Sequence, residues 1–376
     1  MPPLNLLIKP SSGNCNLSCK YCFYQSITEN RNVKSYGMMS IDLLEELVIE
    51  SLKYADKYCT FAFQGGEPTL VGLDFYEKLI KFQKKHNSKN IQITNSIQTN
   101  GMVIDNNWSK FFAQNNFLVG ISLDGPKDIH DVNRVDAKNS GSFSKVMQAI
   151  DTFNKYNVEY NILTVVNSLT SRHIQKIYNF FKKEGFKYLQ FIPCLDPLNE
   201  APGKHDYSLT PRRYTFFLNT LFDLWYADIR QGNPVSIRYF DNLVSMLMGY
   251  PPESCGMSGV CSCYFVIEAD GSTFPCDFYV IDEWKLGNIK NETFDEMYNS
   301  ENATKFVEVS KNIDPNCNKC PYLVLCRSGC RRYREPFENG LPVLNYFCSS
   351  YKEFFGYAGK RLEEIARRLS QRNSLR

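Results

Sequence analysis

Cys15-Asn16-Leu17-Ser18-Cys19-Lys20-Tyr21-Cys22 is the stretch that decides how this chain is read. It sets three cysteines at C-x3-C-x2-C just after a short apolar run, Leu4-Asn5-Leu6-Leu7-Ile8-Lys9. Three thiolates so close in sequence can hold three corners of an iron–sulfur cube, which leaves one iron without a protein ligand. An open iron is a place where a small molecule can bind and be reduced. The same stretch contains C-x2-C, which also suits zinc, and buried thiols would need no metal. The rest of the chain has to decide between these readings.

Outward from the cysteines, the pattern is one of strands alternating with helices. Residues 4–9 read as a strand. Ser40 is placed to cap a helix whose apolar face is Ile41, Leu43, Leu44, Leu47 and Val48. Strands follow at 59–63, 91–98, 117–122, 159–166 and 188–192, with helices at 74–86, 106–115, 142–156 and 171–184 between them. Parallel strands need such crossovers, and the connections are right-handed. The expected fold is α/β, a partial (β/α)6 parallel barrel. Ligands in such folds sit at the carboxyl ends of the strands. The cysteine loop, the turn Gln64-Gly65-Gly66-Glu67-Pro68, the turn Thr99-Asn100-Gly101 and Ser122 all fall there. Glycine lacks a Cβ and lets backbone approach a ligand closely. Residues 196–254 carry no metal motif and read as a bridge, with a helix over 214–229, a strand over 235–240 and a helix over 241–248.

Composition narrows the class. Of 376 residues, 43% are hydrophobic, ample for a core and for two domains or one with an extension. A net charge of +3 is too small to argue for nucleic acid or membrane lipid as a partner. The basic run 360–376 alternates with Leu, Ile and Ala and reads as a solvated helix face. Fourteen cysteines call for either disulfides or metal. Met1-Pro2-Pro3-Leu4-Asn5 has no charged region and no cleavage site, and there is no apolar stretch of about 18 or more residues. Disulfides are then disfavoured, metal is favoured, and a cytoplasmic address is expected.

A second cysteine group begins at Cys255. Cys261, Gly271 and Cys276 make C-x9-G-x4-C, then Cys317, Cys320, Cys326 and Cys330 make C-x2-C-x5-C-x3-C, and Cys348 follows. With Cys255 these are eight cysteines, enough to ligate two four-iron clusters fully. Paired zinc sites are the alternative. Fully ligated clusters leave no place for substrate and suit electron transfer. Cys59 reads as core, Cys194 as core or rim, and Cys263 as a structural thiol or alternative ligand.

The first motif, with an aromatic just before its last cysteine, resembles the radical S-adenosylmethionine (SAM) enzymes. The second group resembles their SPASM extension. Over nearly the whole chain the sequence resembles the anaerobic sulfatase-maturating enzymes, with no departure at a motif position. The resemblance implies three [4Fe-4S] clusters and SAM as cofactors. One cluster would sit on Cys15, Cys19 and Cys22, one on Cys255, Cys261, Cys276 and Cys330, and one on Cys317, Cys320, Cys326 and Cys348. Tyr21 and Leu195 would flank the SAM adenine, the Gly66 backbone would bind the amino group, and Ser122 and Arg134 would contact SAM. A guanidinium suits a carboxylate through two parallel bonds. Asp277 would be the general base, with Tyr24 and Gln64 near the reacting carbon. The implied reaction oxidises an active-site Cys or Ser of a sulfatase to Cα-formylglycine, with Cys favoured. The implied partners are an unfolded or nascent sulfatase polypeptide and a low-potential donor such as ferredoxin or flavodoxin. The segments would be 1–235 for the radical SAM barrel, 236–348 for SPASM and 349–376 for a terminal helix. Two alternatives remain. A thioether-forming peptide modifier uses the same parts, but the mere 14 residues before Cys15 leave little room for a leader-binding domain. An iron–sulfur sensor would have no use for a SAM site.

Overall fold

The computed structural model describes residues 4–374. They form two compact units, each made of discontinuous segments. The first holds residues 4–123, 130–161 and 263–306; the second holds 124–129, 162–262 and 307–374.

In the first unit, β1 (Leu4–Ile8), β2 (Tyr58–Phe63), β3 (Gln92–Thr99) and β4 (Leu118–Ser122) run parallel. Leu4, Leu6 and Ile8 are buried on β1, and Cys59, Phe61 and Phe63 on β2. That alternation fixes the register, because a slip of one residue would turn each set outward. Ile8 pairs with Phe63, Phe63 with Ile97, and Thr99 with Ile121, so the carboxyl ends line up along one rim. Helices Ile41–Tyr54, Leu73–His86, Asn106–Gln114 and Phe143–Tyr156 form the crossovers. Ser40 caps the first of these, its side chain accepting from the Leu43 N–H at 3.2 Å. Cys59 is core, with no exposed surface.

In the second unit, β5 (Tyr160–Val166, largely here), β6 (Tyr188–Pro193) and β7 (Ser236–Ile237) are parallel. β5 and β6 are the fifth and sixth of the strands expected, parallel to each other. The stretch 235–240 is a strand for only two residues. Helix Arg238–Leu247 takes over, because Phe240, Leu243 and Val244 repeat at helical spacing and are all buried. Residues 196–254 are not a bridge. Helix Pro211–Arg230 buries Tyr214, Phe217, Leu221, Phe222 and Trp225 and packs along helix Cys348–Ser374. Phe222 and Phe240 each lie 5.8 Å from the Phe354 ring. The terminal helix starts at Cys348, one residue before the expected 349, and buries Phe354, Ala358, Leu362 and Ile365.

Three further strands belong to the first unit: β8 (Phe265–Ile267), β9 (Ser272–Phe274) and β10 (Gly287–Asn288). β8 runs parallel to β1, with Ile8 opposite Ile267, and β9 returns antiparallel to β8. The strand order of that unit is β10-β9-β8-β1-β2-β3-β4. No helix among the described residues is long and apolar enough to cross a membrane.

Candidate active site

The cysteine loop leaves β1 and ends at Cys22, which precedes helix Phe23–Glu29. Backbone bonds hold it: Ser18 N–H to the Val135 carbonyl at 2.7 Å, Lys20 N–H to Asn133 at 3.0 Å, and Glu67 N–H to Asn14 at 2.8 Å. Cys15 and Cys22 reach solvent. The Cys15 thiol is pushed up to about 12, first by desolvation of its protein-facing side and further by Glu67, Cys19 and Cys22. Three thiols gathered in one short loop are soft donors that a cluster binds as thiolates, with release of their protons. That donor chemistry fits a cluster.

Glu67 organises the rim next to this loop. It is 1% exposed and accepts from Thr69 N–H at 3.1 Å, Thr69 Oγ1, Thr99 Oγ1 at 2.8 Å and Asn100 N–H at 2.7 Å. Burial pushes its carboxyl up, and these bonds oppose the shift. The Gly-Gly-Glu-Pro turn is thus tied to the Thr-Asn-Gly turn. Asn100 Nδ2 then donates to Asn16 Oδ1 at 2.7 Å and approaches Cys15 Sγ at 3.7 Å. Gly66 lies at φ +50°, and a Cβ there would meet the Asn14 carbonyl oxygen at 2.2 Å.

Along the same unit, Tyr21 and Arg134 are both buried, and Arg134 donates to the Tyr21 hydroxyl at 3.1 Å. Ser122 accepts from Gln98 Nε2 at 3.0 Å. Leu195 is buried in the second unit, just past β6, and Cys194 beside it is also buried.

Asp277 follows Cys276 after β9. Gln64 Nε2 donates to Asp277 Oδ2 at 3.1 Å, and the Lys9 ammonium pairs with Oδ1. Tyr24 packs its ring 3.9 Å from Lys9 Nζ and donates its hydroxyl to Glu268. Burial and the Glu268 carboxylate hold the Tyr24 phenol well above its ordinary range, so it remains a donor. Arg31 pairs with Glu268 at 2.7 Å. Asp277 and Gln64 are therefore in direct contact, and Lys9 links Tyr24 to them. Sequence reasoning gave no role to Lys9, Arg31, Glu67 or Glu268. The one available signal was a lysine ending an apolar strand directly before the cysteine loop.

In the second unit, Cys317, Cys320, Cys326 and Cys348 line one cavity with Tyr322, Tyr351 and Phe355. Burial pushes Cys326 up to about 12, and Cys348, Cys317 and Cys320 add to it. Burial likewise pushes Cys330 up to about 12, with Cys261 and Cys255 adding. Both sets show the donor chemistry of the first loop. Cys276 and Cys263 lie in the first unit, Cys276 with its Sγ 3.5 Å from the Tyr264 hydroxyl.

A family model for the Radical SAM superfamily matches residues 10–181, and one for an iron–sulfur cluster-binding domain, SPASM, matches residues 255–321. The chain is 57% identical over 373 residues to a cysteine-type anaerobic sulfatase-maturating enzyme of Clostridium novyi, covering 99% of this chain and 100% of that one. It is 54% identical over 366 residues to the enzyme of the same description from Clostridium perfringens, covering 97% and 99%. A solved structure of native anSMEcpe with bound AdoMet and Cp18Cys peptide matches with a TM-score of 0.94 at 52% identity, covering 98% of this chain and 100% of that one.

Proposed function

The chain belongs to the anaerobic sulfatase-maturating enzymes, radical SAM proteins with a SPASM extension, and from that premise we propose how its residues divide the work of making formylglycine. The enzyme oxidises an active-site residue of a sulfatase polypeptide to Cα-formylglycine, using [4Fe-4S] clusters and SAM. Cysteine is the favoured target.

Cys15, Cys19 and Cys22 hold the cluster that keeps an open iron. Gly66, Ser122, Arg134, Tyr21 and Leu195 hold SAM. Cys317, Cys320, Cys326 and Cys348 hold one auxiliary cluster, and Cys255, Cys261, Cys276 and Cys330 hold the other. When bound, these groups supply a radical able to break a Cβ–H bond and a sink for one electron. Asp277 takes the proton of the substrate thiol. With one hydrogen atom, one proton and one electron gone, the CH2–SH group becomes a C=S group, and water then replaces the sulfur as hydrogen sulfide. Gln64 holds one oxygen of the Asp277 carboxylate. Tyr24 packs behind it. The functional segments are 1–235, 236–348 and 349–376. A cytoplasmic address and a ferredoxin- or flavodoxin-class donor complete the reading.

The observation that carries this division is the Gln64–Asp277 hydrogen bond of 3.1 Å at the strand ends, beside Tyr24. A base in catalysis has to be within hydrogen-bond reach of its proton and held in place. The test is anaerobic: reconstituted enzyme, SAM, a low-potential reductant and a peptide containing Cys-x-Pro-x-Arg, read by peptide mass. Conversion of CH2SH to CHO supports the reading. An unchanged Cys peptide with 5′-deoxyadenosine still formed removes the cysteine assignment and leads next to a serine peptide. Asp277→Asn that makes formylglycine at the normal rate removes the assigned base.

A further inference from the structure

Lys9 is the last side chain before the cysteine loop and has no exposed surface. A buried ammonium is costly unless it is paired. Here it is matched on two sides. Asp277 Oδ1 pairs with it, and the Tyr24 ring covers it at 3.9 Å in cation–π geometry. Beyond Tyr24, Glu268 and Arg31 form a second buried pair at 2.7 Å. The four charges sum to zero. The Asp277 carboxylate therefore has Lys9 on one oxygen and Gln64 on the other, and its own N–H donates to the Tyr264 hydroxyl at 3.1 Å.

The space for this lysine comes from Gly65. That residue lies at φ +105°, and a Cβ on it would fall 2.6 Å from Lys9 Nζ, 2.8 Å from Cγ and 3.0 Å from Cδ. The two glycines of the Gly-Gly-Glu-Pro turn thus serve different neighbours: Gly66 the backbone of the cysteine loop, Gly65 the stem of Lys9. We propose that Lys9 is a positioning residue for Asp277, fixing Oδ1 so that the remaining lone pair of Oδ2, beside the Gln64 donor, faces the substrate thiol, and that residue 65 is glycine to admit it. The proposal rests on Asp277 being the proton acceptor. No bond changes at Lys9; it acts through the orientation of Asp277.

The test uses reconstituted holoenzyme carrying Lys9→Met, Lys9→Arg or Asp277→Asn, with a substrate peptide deuterated at the target Cβ. Three quantities are read: iron per chain, deuterium transferred to 5′-deoxyadenosine, and formylglycine formed per 5′-deoxyadenosine. Lys9→Met is expected to keep its iron and its deuterium transfer while formylglycine per 5′-deoxyadenosine falls at least about tenfold, as kcat with KM for the peptide little changed. Lys9→Arg restores part of that coupling. Wild-type coupling in Lys9→Met overturns the proposal. So does loss of deuterium transfer in step with lost iron or a lower melting temperature, which marks Lys9 as a fold element only. If Lys9→Met does not fold, Gly65→Ala takes its place, crowding the lysine without removing its charge: uncoupling supports the proposal, wild-type coupling overturns it. Asp277→Asn separates the two readings. If it is uncoupled while the Lys9 variants are not, only the Lys9 proposal falls; if it is fully coupled, the assignment of Asp277 falls and takes the Lys9 proposal with it.

Discussion

Gly66→Ala separates two reasons for a glycine at the rim. One is ligand access, since its backbone is assigned to the SAM amino group. The other is visible in the fold: the new Cβ would lie 2.2 Å from the Asn14 carbonyl oxygen and 2.9 Å from both the Asn14 carbonyl carbon and the Ser12 oxygen. These atoms are backbone and cannot swing aside as a side chain could. The left-handed φ of +50° costs alanine about 1–2 kcal/mol. Forcing a methyl into packed backbone costs about 1–3 kcal/mol more. The variant should therefore lose roughly 2–5 kcal/mol, a fall in melting temperature on the order of 5–15 °C for a unit of this size. Because Asn14 immediately precedes Cys15, the loop moves with it, and iron at the first site should be lost as well. Gly37→Ala is the control. It sits at φ +77° with nothing within 4 Å of its Cβ, so it carries only the conformational cost, about 1–2 kcal/mol. The assay is anaerobic thermal and urea unfolding of both variants, with iron content and SAM binding by calorimetry. A Gly66→Ala melt no lower than that of Gly37→Ala, with full iron and only SAM affinity lost, would refute the packing argument and leave the ligand as the sole reason.

Cys19→Ala should lower bound iron by one cube, roughly four irons per chain, and leave the auxiliary clusters visible by Mössbauer spectroscopy. Glu268→Gln keeps the shape but leaves the Arg31 charge buried without its carboxylate; urea unfolding should show a loss of about 3–5 kcal/mol. Ser40→Ala removes the cap that receives the Leu43 N–H and should cost about 1 kcal/mol in the same assay. Burial holds the Asp241 carboxyl above its ordinary value; the Ser236 hydroxyl opposes this and Glu253 adds to it. The folded chain then binds that proton more tightly than the unfolded chain, so this part of the stability is full below about pH 4 and is lost as pH rises through the folded value. Asp241→Asn should lack that loss, and its urea midpoint relative to wild type should climb between pH 4.5 and 7.5.

The six strands were legible because each combines a buried face with a following helix of clear period, as in Leu4, Leu6 and Ile8 before the helix capped by Ser40. The cysteine groups were legible because ligand spacing is local. The middle of the chain was not. Tyr214, Phe222 and Phe240 carry no chemistry of their own, and their partners on the terminal helix, Tyr351 for the first and Phe354 for the other two, lie over a hundred residues away, so the sequence does not show that these helices pack together. At 235–240 the alternation Val235-Ser236-Ile237-Arg238-Tyr239 reads as a strand, but the helical spacing of Phe240, Leu243 and Val244 wins from Arg238 on. β8 escaped notice for a related reason: Phe265-Val266-Ile267 is only three residues long, with no alternation to display.

That short strand is what completes the candidate site. β8 pairs parallel to β1 on the side away from β2, and the Lys9 N–H bonds to the Ile267 carbonyl at 2.8 Å. Glu268 therefore leaves the sheet beside Lys9, and the chain that returns through β9 brings the Asp277 carboxylate within reach of the Lys9 and Gln64 side chains. The carboxyl ends of β1 and β2 supply Lys9 and Gln64, and β8 with β9 supplies Glu268 and Asp277. Sheet extension thus brings Lys9 to Asp277 and Glu268, and the chain after helix Phe23–Glu29 adds Arg31 to Glu268. Spacing along the chain carries no trace of this, because register between distant strands is set by buried faces rather than by sequence distance. The cysteine motifs can be read as words, but the group that holds Asp277 exists only once β8 has joined the sheet.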